Sequence, residues 1–212
     1  MNNRSAAQVA SSRAYWLKTL HQWHWISSAL CLIGMLLFAL TGITLNHAAD
    51  IAAQPQVQQK EVQLPQSLRN ALAVKDDEPQ NAMLPADVHS WLTKALDVAL
   101  PETAAEWSPE EIYLSLPRPG GDAWLRIARD SGSVEYERTD RGWISYLNDL
   151  HKGRHTGGVW KWFLDIFSVA CLVFCITGLF ILKFHAANRP TVWPMVGMGL
   201  VAPLLLIILF IH

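Results

Sequence analysis

Residues 26–45 read ISSALCLIGMLLFALTGITL, a run of twenty residues without a charged side chain. A helix that crosses the roughly 30 Å apolar core of a bilayer needs about twenty residues. Two further runs meet this requirement, from about Val159 to Leu182 and from Val192 to Ile211, the last containing Pro194 and Pro203. The sequence therefore predicts three transmembrane helices, with a proline kink in the third.

The charged residues are distributed unevenly along the chain. All eighteen acidic residues fall between Asp50 and Asp165, and the segments outside this window are apolar with a few Lys and Arg. This pattern excludes a soluble globule and indicates a membrane protein with one polar domain between the first and second spans. The three cysteines lie inside the predicted spans, so the polar domain has no disulfide framework.

The basic residues beside the spans predict the orientation. Three precede the first span, and two lie between the second and third spans, which places both flanks in the cytoplasm and the polar domain outside. They are Arg4, Arg13, Lys18, Lys183 and Arg189. Lys152, Arg154 and Lys161 fall on the outer side and oppose this assignment.

Four regions follow from these boundaries. Residues 1–47 form a cytoplasmic N-terminus and the first span, 48–150 a periplasmic domain, 151–185 the second span, and 186–212 a short cytoplasmic link and the third span. Within the domain, residues 51–80 are rich in Gln, Asp, Glu and Pro and are predicted to be a weakly ordered linker. Residues 85–100 have helical apolar spacing, and residues 110–117, 123–130 and 133–140 alternate as strands of an antiparallel meander.

The first and second spans share a pattern. LFALTGITL at residues 37–45 and VFCITGLFI at residues 173–181 align with their Thr-Gly pairs in register, 136 residues apart. If the two spans run in opposite directions, this is an inverted repeat. Chance similarity between two apolar helices is the alternative. Gly42 and Gly178 would allow close helix approach.

Histidines cluster at the ends of the first two spans. His47 ends the first span and His151 and His155 precede the second, so these three share the outer face. His21 and His24 share the inner face with His185. Opposed imidazoles on facing helices suit the two axial positions of a b-type haem, which predicts an outer site of His47 with His151 or His155 and an inner site of His185 with His21 or His24. The alternatives are interfacial histidines without a ligand, or one metal ion chelated by His151 and His155.

Three stretches resemble the PepSY-associated transmembrane proteins. They are HQWHWISSALCLIGMLLFALTGITLNH at residues 21–47, LNDLHKGRHTGGVWKW at residues 147–162, and ITGLFIL at residues 176–182. The resemblance covers most of residues 15–185, and the meander between the spans is similar to a small PepSY domain. The fold class is therefore expected to be a membrane α-helical protein of three spans with an inserted α+β PepSY-like domain. The family includes membrane haem proteins that reduce ferric siderophores, and His21, His47 and His151 best match its histidines.

The resemblance implies a bacterial inner-membrane electron-transfer subunit, and the histidine positions predict two bis-histidine b-type haems. Its expected electron donor is a quinol or a cytoplasmic protein, and its expected acceptor is a periplasmic flavoprotein or a ferric chelate. The chain is shorter than the siderophore reductases, so whether it is itself part of a ferric reductase stays open, as does a homodimer. Its surroundings are membrane lipid, and no nucleic-acid partner is expected. The alternative function is a membrane-tethered PepSY module that binds a periplasmic protein such as a peptidase and has no redox role.

Overall fold

The computed structural model describes residues 3–52, 54–74 and 80–211 and contains three long helices. They are α1 (Asn3–Asn46), α5 (Gly157–His185) and α6 (Val192–Phe210). Segments 11–46, 157–185 and 192–210 are each long and apolar enough to cross a membrane, which confirms the predicted spans. Pro203 lies inside α6, and the kink it would cause stays a prediction. His212 lies outside the described residues.

The chain divides into two compact units. One unit comprises residues 1–37 and 162–212, with most of α1, most of α5, and α6. The other comprises residues 38–161, with the end of α1, the polar domain and the start of α5. In the first unit, small or polar residues recur along one face of α1 at the spacing of a helix-packing seam, namely His24, Ser27, Cys31 and Gly34. Ser27 and Cys31 are buried, and a Cβ added to Gly34 would meet the Phe167 ring of α5.

The polar domain contains a six-stranded antiparallel sheet in the order β1-β6-β5-β4-β3-β2. The strands are β1 (Gln56–Gln63), β2 (Asn81–Met83), β3 (Ala104–Trp107), β4 (Glu111–Ser115), β5 (Gly121–Ala128) and β6 (Ser133–Asp140). Strands β4, β5 and β6 confirm the three predicted strands. Their alternating residues bury one face, as in β5, where every second side chain is buried.

Helix α3 (Ala86–Leu96) confirms the predicted helix and contributes to the core of this domain. Its buried residues Val88, Leu92 and Leu96 recur every fourth position, so they lie on one face of the helix. They belong to one core cluster with buried strand residues such as Ile112, Leu125, Ile127 and Val134.

The prediction of a weakly ordered linker at residues 51–80 is wrong over most of the described part of this segment. Residues 56–63 form β1, whose entire length pairs with β6. Residues 66–72 form a short helix α2 (Gln66–Arg69) and a 3-10 turn. Leu64 and Leu72 are buried in the core. The glutamine-rich sequence does not show the apolar alternation of a strand, because the side chains of β1 are almost all exposed. Backbone pairing holds β1 in the sheet.

Helix α4 (Trp143–Lys152) follows β6 and precedes α5 in the chain. Its Asp149 carboxylate accepts a hydrogen bond of 2.9 Å from the Gly120 N–H in the loop between β4 and β5. Gly120 has φ +72°, and a Cβ at this position would lie 2.7 Å from the Tyr146 backbone. A glycine is therefore needed where α4 contacts the sheet. The helix of the second span begins at Gly157, close to the predicted start of that span at about Val159, and Gly153 ends α4 before it in a left-handed conformation.

Candidate functional site

His24 of α1 contacts the Thr-Gly pair of α5. Its Nδ1 lies 3.0 Å from Thr177 Oγ1 and 3.2 Å from the Phe174 carbonyl oxygen. The imidazole stacks on the Phe174 ring, with centroids 4.7 Å apart and planes 16° from parallel. A Cβ added to Gly178 would lie 3.2 Å from His24 Cε1, so the absence of a side chain there leaves the room that the imidazole uses.

His151 of α4 makes the corresponding contacts with the Thr-Gly pair of α1. Its Nδ1 lies 2.7 Å from Thr41 Oγ1, and its ring lies 4.7 Å from the Phe38 ring, centroid to centroid. A Cβ added to Gly42 would lie 3.7 Å from His151 Cε1. Each histidine therefore contacts a Phe, a Thr and a Gly at the same relative positions of the repeated sequence.

The repeat is reciprocal. Phe38, Thr41 and Gly42 recur 136 residues later as Phe174, Thr177 and Gly178. The first copy contacts a histidine that precedes the second copy, and the second contacts a histidine that precedes the first. The similarity noted in the sequence thus has a structural counterpart in side-chain contacts. The sequence analysis identified both Thr-Gly pairs but missed the two phenylalanines and the role of the threonines as hydrogen-bond acceptors.

The hydrogen bonds of the two threonines bear on which ring nitrogen of each histidine carries a proton. The Thr41 hydroxyl donates to the Phe38 carbonyl at 3.2 Å, and the Thr177 hydroxyl donates to the Val173 carbonyl at 2.7 Å. His24 Nδ1 also lies 3.2 Å from the Phe174 carbonyl oxygen, which can only accept a hydrogen bond, and His151 takes the same role when the Thr41 hydroxyl donates to Phe38. Nδ1 is then the donor, and Nε2 of a neutral imidazole keeps its lone pair. This is the arrangement of a histidine that binds a metal through Nε2.

His21 and His185 form a pair between α1 and α5. Their ring centroids are 5.8 Å apart, with the planes at 83°. His21 Nδ1 donates to the Leu17 carbonyl at 2.8 Å, and His185 Nδ1 donates to the Ile181 carbonyl at 2.9 Å. A carbonyl can only accept, so both rings again keep the Nε2 lone pair when neutral. Two imidazoles on one metal have nitrogens about 2 Å from it, which puts their centroids roughly 6 Å apart.

His47 and His151 are not brought together in the same way. The His151–Thr41 bond and a 2.8 Å bond from Thr44 Oγ1 to Asn148 Oδ1 show that α1 and α4 run antiparallel. His151 thus lies beside a position six residues before His47, roughly 9 Å away along the helix axis. Among the described residues, no hydrogen bond or ring contact joins the two histidines. His47 is 58% exposed and pairs with the Asp50 carboxylate, 3.3 Å from its Nδ1.

His155 lies in the turn between α4 and α5 and not on a helix. Its φ of +56° is unusual for a residue with a side chain. Its side chain lines a groove of about 750 Å³ at the edge of the sheet domain, together with Arg118, Tyr136 and Arg138. The change of direction after Gly153 separates it from His151, so the two are not consecutive turns of one helix. Within the described residues, no group of three or more His, Cys, Asp or Glu is arranged to hold a metal ion.

These features define a membrane protein of three apolar helices with a small antiparallel sheet domain between the first and second, and with histidines held between helices. The model of the PepSY_TM-like family matches residues 15–212, so the chain belongs to that family. No curated protein and no solved structure matches the chain.

Proposed function

We propose that this protein is a multi-pass bacterial inner-membrane protein that binds b-type haem and relays electrons to an acceptor outside the membrane. The observation that carries the proposal is the His21–His185 pair. The two rings lie at the separation that a shared metal requires, and both Nδ1 atoms donate to their own helices. Haem held there would supply reversible one-electron chemistry at its iron.

The residues around the histidines fit such a group. The carbonyls of Leu17 and Ile181 fix the tautomer and orientation of the pair, as partners beyond the ligands do in metal sites. Thr41 does the same for His151, and the Asp50 carboxylate for His47. His24 is held by Thr177 and stacked on Phe174, which makes His21 the better supported partner of His185.

The outer site is proposed at His151, with His47 as the second axial ligand and His155 as the substitute for His151. Here the support is the hydroxyl that fixes the His151 ring and the apolar Phe38 against it. Because of the axial offset between His47 and His151, both side chains would have to reach toward a haem between them. Two axial imidazoles leave iron without an open position, so electron transfer is favoured over oxygen activation.

The proposed direction is outward. Basic residues lie before the first span and in the link between the second and third spans. They favour a cytoplasmic location for the N-terminus and for this link, with the sheet domain in the periplasm. A quinol or a cytoplasmic donor is oxidised, and a periplasmic flavoprotein or ferric chelate is reduced. The sheet domain, which has no catalytic constellation among its described residues, would dock that acceptor.

The test is haem quantitation on purified protein. Pyridine haemochrome analysis should give about two b-type haems per chain for the wild type. His185→Ala should lose about one haem and keep the low-spin spectrum of the other. His89→Ala is the matched control, because this imidazole lies in the sheet domain and contacts the Leu100 carbonyl. Purified wild-type protein that is colourless after expression with ample haem would overturn the proposal and favour the tethered binding module.

A further inference from the structure

Three polar side chains of α4 bond to the rest of its domain. Asn148 is buried and accepts a hydrogen bond from Thr44, Asp149 accepts one from the Gly120 N–H, and His151 bonds to Thr41. Each of these side chains reaches either the end of α1 or the sheet domain.

The apolar stripe of α4 is exposed beside these contacts, because Ile144 and Leu147 neighbour Asn148 and His151 at helical spacing. Trp143 is 78% exposed, and Ile144 and Leu147 are each 42% exposed. Positions 143, 144 and 147 form one stripe along a helix. Amphipathic helices of this kind, with Trp and aliphatic residues on one face, rest in the interfacial layer of a membrane.

Two observations identify lipid as the covering partner. First, α4 is hydrogen-bonded to the last two turns of α1, whose candidate span ends at Asn46. The stripe is therefore carried by a helix attached to the end of a membrane span. Second, exposed basic side chains lie at both ends of α4, namely Arg141, Lys152 and Arg154. They complement the phosphates of anionic lipids.

We propose that α4 is an interfacial helix, seated in the headgroup layer of the bilayer that α1 crosses. Trp143, Ile144 and Leu147 contact lipid, and the basic residues at its two ends contact anionic headgroups. This explains why Lys152 and Arg154 occur on the side of the membrane where the charge rule disfavours them. It also fixes the depth of His151 whether or not haem binds, so the inference is independent of the proposed function.

Depth-dependent fluorescence quenching tests the position of α4. Cys31, Cys171 and Cys175 are replaced by serine, and an environment-sensitive fluorophore is attached to Leu147→Cys or, separately, Trp143→Cys. The full-length protein is reconstituted in phosphatidylcholine vesicles that contain phosphatidylglycerol. Nitroxide lipids labelled in the headgroup or at the top of the acyl chain should quench both labels at least twofold more than aqueous iodide does.

Two control positions calibrate the measurement. Ile43→Cys, 62% exposed on α1, should be quenched by lipid. Met83→Cys, 52% exposed on β2 at the far edge of the sheet from β1, should be quenched by iodide. If the labels on α4 behave like the Met83 label, α4 lies in water and the proposal is wrong. If lipid and iodide both fail to quench them, a protein covers α4, which overturns the proposal equally.

A second measurement tests the basic residues. Nitroxide phosphatidylglycerol should quench the Leu147 label more than nitroxide phosphatidylcholine does, because anionic lipid is enriched beside the positive charges. The excess should vanish when Arg141, Lys152 and Arg154 are replaced by Gln. Equal quenching by the two lipids in the unsubstituted protein would overturn the assignment of these residues to anionic headgroups.

Discussion

His24 Nδ1 donates a hydrogen bond of 3.0 Å to Thr177 Oγ1, a side-chain contact that joins α1 to α5. Thr177 is 7% exposed, and its hydroxyl donates a hydrogen bond to the Val173 carbonyl. The imidazole therefore has a defined tautomer, and its ring is further held by stacking on Phe174. A polar contact of this kind between membrane helices contributes about 0.6 kcal/mol on average.

Thr177→Val is expected to lower the stability of the helix pair by about 0.6 kcal/mol, with about 1.7 kcal/mol as the upper end. Thr177→Ser keeps the hydroxyl acceptor and should retain most of the stability that Thr177→Val loses. Unfolding in mixed micelles of mild detergent and dodecyl sulfate measures the change, and a double-mutant cycle with His24→Ala isolates the coupling. Ser168→Ala is the control on the same helix, since its hydroxyl bonds to the Leu164 carbonyl of that helix. A coupling energy of zero would contradict the assigned bond.

Gly34→Ala should destabilise the same helix pair more strongly. A Cβ at this position would lie 2.8 Å from Phe167 Cζ, so the aromatic ring has to move. Overpacking of this kind typically costs about 1–3 kcal/mol. Gly197→Ala is the matched control, because nothing lies within 4 Å of that position on α6. The same unfolding assay should show no loss for Gly197→Ala, and Phe167→Leu should restore part of the stability of Gly34→Ala.

Much of this fold could be predicted from the sequence, for reasons visible in particular elements. The spans are long apolar runs, α3 has apolar residues at helical spacing, and β4, β5 and β6 alternate. Strand β1 could not be predicted because QVQQKEVQ buries almost nothing and depends on pairing with β6, which is distant in sequence. The sequence placed each candidate histidine near the end of a predicted span. It could not show which rings meet, because that depends on the rotation and register of the helices.

The sheet domain should lose stability in acid through Asp140. A hydrogen bond from the Gly142 N–H and the guanidinium of Arg118 hold the pKa of this carboxyl below its usual value of 3.8. A carboxyl whose pKa is lower in the folded protein than in the unfolded chain stabilises the fold at pH values above the unfolded-state pKa. This stabilisation is lost as the pH falls through the folded-state pKa. Asp140→Asn should therefore flatten the pH dependence of thermal unfolding below about pH 4. Identical pH profiles for variant and wild type would contradict this role.

The topology prediction places the N-terminus in the cytoplasm and the sheet domain in the periplasm. Alkaline phosphatase is active only after export, so a fusion after Asp140 should be active. A fusion at Ala187, in the link between the second and third spans, should be silent. The physical reason is the excess of Lys and Arg in the short flanks that stay inside. A silent fusion at Asp140 together with an active one at Ala187 would invert the orientation.

Outward electron transfer is the prediction that separates a relay from a tether. The purified protein is reconstituted in liposomes with a membrane-impermeant reductant sealed inside and an impermeant ferric chelate outside, and formation of the ferrous complex is followed by absorbance. The ring centroids of His21 and His185 lie 5.8 Å apart. If the two histidines hold a haem of the relay, removing either one should break the relay. His185→Ala should therefore reduce the rate at least tenfold, whereas His89→Ala should not change it. Both variants are first matched for reconstitution and orientation by protease accessibility of the sheet domain. Equal rates for the wild type, His185→Ala and protein-free liposomes would show that the protein carries no electrons, and its sheet domain would then remain as a binding module on a membrane anchor.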